Sequence, residues 1–243
     1  MTTGGFEPFQ LDAEMGGQGV VVSAHRDHLG DLWGLASELL GIQHGALHTI
    51  STAEAAPSTE RLTVLMGAVH AQSLFLAAYM QLARGQLDVF QYLRRPLFDV
   101  MTFVRRVTAD PDFAERTWES RRTHLASDAR KDLIPDAELD EQIKQYADGL
   151  QRFAHLSFTH LASVFAIDSA TDSEIDGNVP MSFGTGVANP ELVTRHWVGC
   201  LRDHALVVMA LTNYASAAIP DEVTERLRAL ALVLAQPTDH EVS

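Results

Sequence analysis

Read as a pattern of apolar and polar positions, the chain falls into helical segments. Two carry unbroken steps of four and three. Leu139, Ile143, Tyr146, Leu150, Phe153, Ser157, His160 and Val164 form one such stripe, after a helix start at Pro135-Asp136. Val193, Trp197, Cys200, His204, Val207, Leu211, Tyr214 and Ala218 form the other, after Asn189-Pro190. Both are heptad seams, and three of their members, Ser157, His160 and His204, are polar.

A third stripe organises the middle of the chain. Phe90, Leu93, Leu97, Val100, Val104 and Val107 share one face of a helix that carries Pro96. Proline removes a backbone donor, so a kink or a break and restart is expected there. Asp110-Pro111 is the signal for a new helix, expected over about 111–132 with a thin apolar stripe.

Upstream, Leu62–Ala83 holds no charged residue over 22 positions and lies between Arg61 and Arg84. Thr63, His70, Gln72, Ser73 and Gln81 interrupt it. It predicts a central helix buried on most sides rather than a membrane span, capped by Ser58 or Thr59 and stopped by Gly85. Leu29, Leu32, Trp33, Ala36, Leu40 and Leu47 predict a first helix over about 25–52, with Ser23 as its cap. Val223, Leu227, Leu230 and Leu234 predict a last helix over about 221–235.

Residues 1–22 are glycine-rich and aperiodic, which predicts a flexible arm. The segment 166–188 is the long irregular stretch, a surface loop in which Asp176-Gly177 can turn a short β-hairpin. The fold expected is therefore all-α, a single helical bundle of six or seven helices over 23–236, with a disordered tail at 237–243. Apolar helix faces outnumber what one bundle buries, so a homodimer is expected over a monomer.

Composition narrows the function classes. The chain has 243 residues, 46% apolar and 21% charged, with 32 acids against 18 bases and a formal charge of −14. That field opposes nucleic acid and anionic lipid. The densest basic group, Arg116, Arg121, Arg122, Arg130 and Lys131, is interleaved with Glu115, Glu119, Asp128 and Asp132 and reads as a solvated face. One cysteine, Cys200, excludes an intrachain disulfide and suits a reducing cytoplasm. No basic and apolar leader is evident at the N-terminus.

Candidate chemistry is sparse. Buried Ser157, His160 and His204 must each find a hydrogen-bond partner, either as core polar groups that fix helix register or as the lining of a pocket. Arg95 and Asp99, one turn apart, form an i,i+4 ion pair. Plain helical geometry sets Arg95 about 200° from Leu97, away from the apolar stripe. His44 and His48 have a spacing that can chelate zinc, but further ligands are not evident. Asp172, Glu174 and Asp176 resemble the start of a calcium loop, yet Phe183 stands where its bidentate Glu belongs. No metal or cofactor is therefore expected, and the phosphate-binding, dinucleotide and nucleophile-elbow motifs are missing from the sequence.

The pieces RRPLFDVMTFVRRVTADPDFAERTW and FAHLSFTH, in that order, resemble a family of uncharacterised bacterial all-helical proteins, a domain of unknown function. Its pattern is an Arg-x-x-x-(Glu/Asp) helix, an Asp-Pro helix start, then an aromatic residue, Leu-Ser and a His one turn on. Arg95, Asp99, Asp110, Pro111, Leu156, Ser157 and His160 would match, with Asp99 in place of the more usual Glu and His160 one position earlier than some members place it. The resemblance spans residues 60–215 and implies that Arg95, Asp99, Ser157 and His160 converge on one interior pocket. A more distant likeness is to the HEPN superfamily, some of whose members are ribonucleases in toxin and phage-defence systems. Their signature is an Arg, four to six residues, then a His. Arg152 precedes His155 by two intervening residues and His160 by seven, and neither fits. The function expected is a non-catalytic module that binds a small molecule or a protein partner, in stress or phage defence. The alternative is a ribonuclease or other hydrolase using His160 as general base.

Overall fold

The structure, a computed structural model, describes residues 11–52, 58–120, 129, 137–154 and 189–235. Among them it is all-α, with eight α-helices and no strand. These are α1 (Leu11–Leu29), α2 (Asp31–Thr52), α3 (Thr59–Ala83), α4 (Leu87–Ala109), α5 (Pro111–Ser120), α6 (Ala137–Ala154), α7 (Pro190–Tyr214) and α8 (Asp221–Ala235). A 3₁₀ turn, Ser216–Ala218, joins the last two. The tail at 237–243 and the loop and hairpin expected at 166–188 lie outside the described residues.

The helix count exceeds the expected six or seven because the N-terminal region differs from its reading. The arm expected over 1–22 is helix from Leu11 onward. The helix expected over 25–52 is two helices, α1 and α2. Gly30, at φ +50°, makes the break, a left-handed backbone that suits glycine. Glycines masked the periodicity of α1, whose Val21, His25 and Leu29 recur every fourth residue and are buried. Ser23 is exposed in mid-helix and caps nothing.

Helix α3 is the hub and packs against α1, α2, α4, α5 and α7. Ser58 caps it by accepting the Arg61 N–H at 3.1 Å. Phe75, Ala78, Leu82 and Val64 are fully buried along its inner side. The helix is long and apolar enough to cross a membrane. Burial is less complete than the uncharged sequence suggests, for Met66, Val69, Leu76 and Met80 are exposed on its outer side. Helix α4 lies so close to α3 at Gly67 that a Cβ there would meet the Phe103 ring at 2.9 Å.

Helix α4 runs unbroken through Pro96. Proline in a helix interior costs about 3 kcal/mol, and burial of Phe90, Leu97, Val100, Val104 and Val107 on both sides of it holds the helix together. At its end Asp110 serves two helices. It accepts the Phe113 N–H at 3.0 Å, capping α5, and pairs with Arg106 of α4 at 2.6 Å. Helix α7 buries Val193, Trp197, Cys200, His204, Val207 and Leu211, the stripe expected of it, against α2, α3 and α4. Helix α6 leans chiefly on α4 and buries Ala147 and Leu150, while Tyr146 of its expected stripe is exposed.

Candidate functional site

Of the five residues singled out by sequence, three are described: Arg95, Asp99 and His204. Ser157 and His160 lie outside the described residues. Arg95 and Asp99 pair with each other, the Arg95 Nε standing 3.0 Å from both Asp99 oxygens. The pair is half-buried rather than turned to open solvent, because Arg95 also donates to the Ala147 carbonyl of α6. Arg94 extends this seam by donating to Gln91 Oε1 and the Tyr146 hydroxyl, each at 3.1 Å. The Gln91 amide in turn reaches His196 Nε2 of α7 at 3.4 Å. Burial, with the Arg94 and Arg195 charges, pushes the His196 imidazole down to about 4. Burial pushes Asp203, one heptad further along α7, up to about 6 against the pull of Arg94 and Arg202.

His204 belongs to a different place. It is wholly buried, stacked on Phe75 at 4.4 Å between ring centres, and takes its partners from α2 and α3. Gln43 donates to the Ala68 carbonyl at 3.1 Å, so its Oε1 is the end that faces His204 Nε2 at 2.8 Å. Nε2 must then carry the proton, and Nδ1 accepts from the Tyr79 hydroxyl at 3.1 Å. Donors and acceptors match along the whole chain Tyr79, His204, Gln43, Ala68. Burial keeps the imidazole neutral, its pKa lowered to about 3. Burial likewise holds the Tyr79 hydroxyl and the Cys200 thiol protonated. Neither Cys200 nor His204 is poised as a nucleophile or base.

The ring of Tyr79 has a second role. Together with Trp33 and Trp197 it walls a cavity of about 330 Å³ among α1, α2, α3 and α7. Trp33 and Trp197 stack at 5.3 Å with planes 16° apart, and Tyr79 tilts onto Trp197 at 5.0 Å. Val22, Ala36, Leu40, Leu76 and Met80 complete an apolar lining. Ser37, Leu76 and Met80 are exposed, so the cavity opens to solvent beside them. Its Trp197 ring is fixed by an indole N–H bond to the Leu32 carbonyl at 3.0 Å, and its Tyr79 ring by His204. Among the lining side chains only Arg84 is charged.

The described residues assemble no group of three side chains able to hold a metal ion. His44 and His48 are exposed. The chain matches no protein-family model, no curated protein and no solved structure.

Sequence reasoning missed the cavity. It took Trp33 and Trp197 as core positions on two helices, and Arg84 as the flank of an uncharged run. Tyr79 stands one turn after Phe75 on the same buried side of α3. That a polar-tipped ring falls there, with a histidine in a neighbouring seam, was the available signal for the interior chain. Asp203 and His196 sit a heptad apart just beside the α7 stripe, a spacing that marks them as partly covered.

Proposed function

We propose that the protein is a non-catalytic helical module that holds a small apolar ligand in the cavity among α1, α2, α3 and α7. The cavity itself carries this reading. It is open, about 330 Å³, walled by three aromatic rings and mostly aliphatic side chains with Ser37 and Arg84 as its polar exceptions, which are the features of small-molecule sites. Two of its rings, Trp197 and Tyr79, are anchored from behind by bonds to Leu32 and His204, and Trp33 stacks on Trp197, so the walls stand ready before a ligand arrives. Its lining holds no matched acid and base: the Tyr79 hydroxyl is bonded, buried and protonated. Such a lining binds and does not react.

Calorimetric titration with octan-1-ol, a neutral apolar probe, tests it. The expected result is saturable one-to-one binding by the wild type and a loss of about tenfold or more in Ser37→Phe, which places a ring at the exposed rim. Absence of saturable binding by a folded wild type contradicts the reading.

A further inference from the structure

The polar groups around the cavity say which apolar molecules it selects. A helix C-terminus normally presents bare carbonyls, which attract cations. At the end of α3, where Ala83 and Arg84 line the cavity, each of the last four carbonyls is already taken. The Met80 carbonyl accepts the Arg84 N–H, Gln81 that of Gln86, and Leu82 that of Gly85. This is the arrangement of a helix closed by a left-handed glycine, with Gly85 at φ +69°. His25 of α1 supplies the fourth bond, its Nδ1 donating to the Ala83 carbonyl at 2.9 Å.

Among the side chains that line the cavity, what remains is donors. The Tyr79 hydroxyl is given to His204 and the Trp197 N–H to Leu32. The Ser37 hydroxyl leans on the Trp33 carbonyl. The Arg84 guanidinium, half-buried, has no ion-pair or hydrogen-bond partner among the described residues, and neither has the Trp33 indole N–H. A guanidinium fork beside an apolar cavity matches a planar carboxylate in shape and charge.

We propose, building on the ligand-binding reading above, that the cavity selects apolar molecules bearing one carboxylate, which Arg84 holds while the body lies against Trp33, Tyr79 and Trp197. The chain's net charge of −14 opposes an anion only through distributed, screened charges. Arg84 acts at contact distance.

The test compares octanoate, octan-1-ol and octyltrimethylammonium by calorimetry on wild type, Arg84→Met and Arg84→Lys. Circular dichroism first establishes that each variant melts as the wild type does. Wild type is expected to bind octanoate about tenfold tighter than octan-1-ol, a step worth one charge-assisted contact, and the cation most weakly. Arg84→Met is expected to bind octanoate and octan-1-ol alike, and Arg84→Lys to keep part of the preference. Equal binding of octanoate and octan-1-ol by wild type overturns the carboxylate assignment and leaves the apolar cavity standing. So does tightest binding of the cation, or a carboxylate preference that survives in Arg84→Met. Failure of every probe to bind overturns both the assignment and the ligand-binding reading.

Discussion

Two polar regions of this bundle, one of neutral and one of ionised groups, behave oppositely. The chain Tyr79, His204, Gln43, Ala68 is sealed between α2, α3 and α7, and each donor meets an acceptor. The seam of Arg94, Arg95 and Asp99 between α4 and α6 is half-exposed, its bonds backed by solvent that can replace them. Burial makes the difference. In the sealed chain a lost partner leaves an orphan that water cannot reach, whereas in the seam water substitutes for a lost partner. The sealed chain also stands behind the cavity wall through Tyr79, so it couples core order to the proposed binding site.

The largest effect is expected from breaking the sealed chain. His204→Leu removes the middle link, leaves Gln43 Oε1 buried without a partner and leaves the Tyr79 hydroxyl only the weak Cys200 thiol, at a cost of about 2–5 kcal/mol. Urea melts of the two proteins measure it. A loss below about 1 kcal/mol would mean that the interior admits water and is not sealed.

Acid sharpens the same contrast. Folded His204 stays neutral to about pH 3 and His196 to about pH 4, while an unfolded imidazole protonates near 6.5. The unfolded chain therefore takes up protons first, and stability is full above about pH 6.5 and lost as pH falls toward 4. Asp203 acts in the opposite sense. Its folded pKa of about 6 lies above the ordinary 3.8, so its contribution is full below 3.8 and lost as pH rises through 6. Two histidines outweigh one partly covered carboxylate, and net destabilisation on acidification is expected. Melting temperature against pH should fall from 6.5 to 4 in wild type, and should rise at pH 7.5 in Asp203→Asn. A flat profile between 6.5 and 4 would contradict the neutral, buried state of His204.

The smallest effect belongs to the seam. Asp99→Ala should cost no more than about 1 kcal/mol, the usual worth of a partly exposed ion pair. A loss well beyond that would show that Asp99 has partners besides Arg95, as a pocket shared with Ser157 and His160 requires.

The contrast also explains what was legible in the sequence. The stripe of α7 read correctly from Val193 to Leu211 because a buried seam repeats with helical period, and His204 stood out as a polar interruption of it. Arg95 was harder. Its spacing placed it off the apolar stripe of α4, which is true, yet α6 covers that flank, and no local pattern reports a contact made 52 residues away. Helix α1 was hidden by glycines whose low propensity tertiary packing of Val21, His25 and Leu29 overrides. The cavity was illegible for a related reason. Trp33, Tyr79 and Trp197 each satisfy the pattern of a core position, and only the meeting of three helices shows that their rings surround space.

The most direct test of the account uses the tryptophans themselves. Of the three in the chain, Trp33 and Trp197 wall the cavity, so Trp118→Phe leaves an emission that reports on it alone. Titration of that variant with octanoate should give a saturable change in emission that Ser37→Phe in the same background abolishes. Emission that stays constant, or that changes equally with the rim blocked, would contradict a ligand site among α1, α2, α3 and α7.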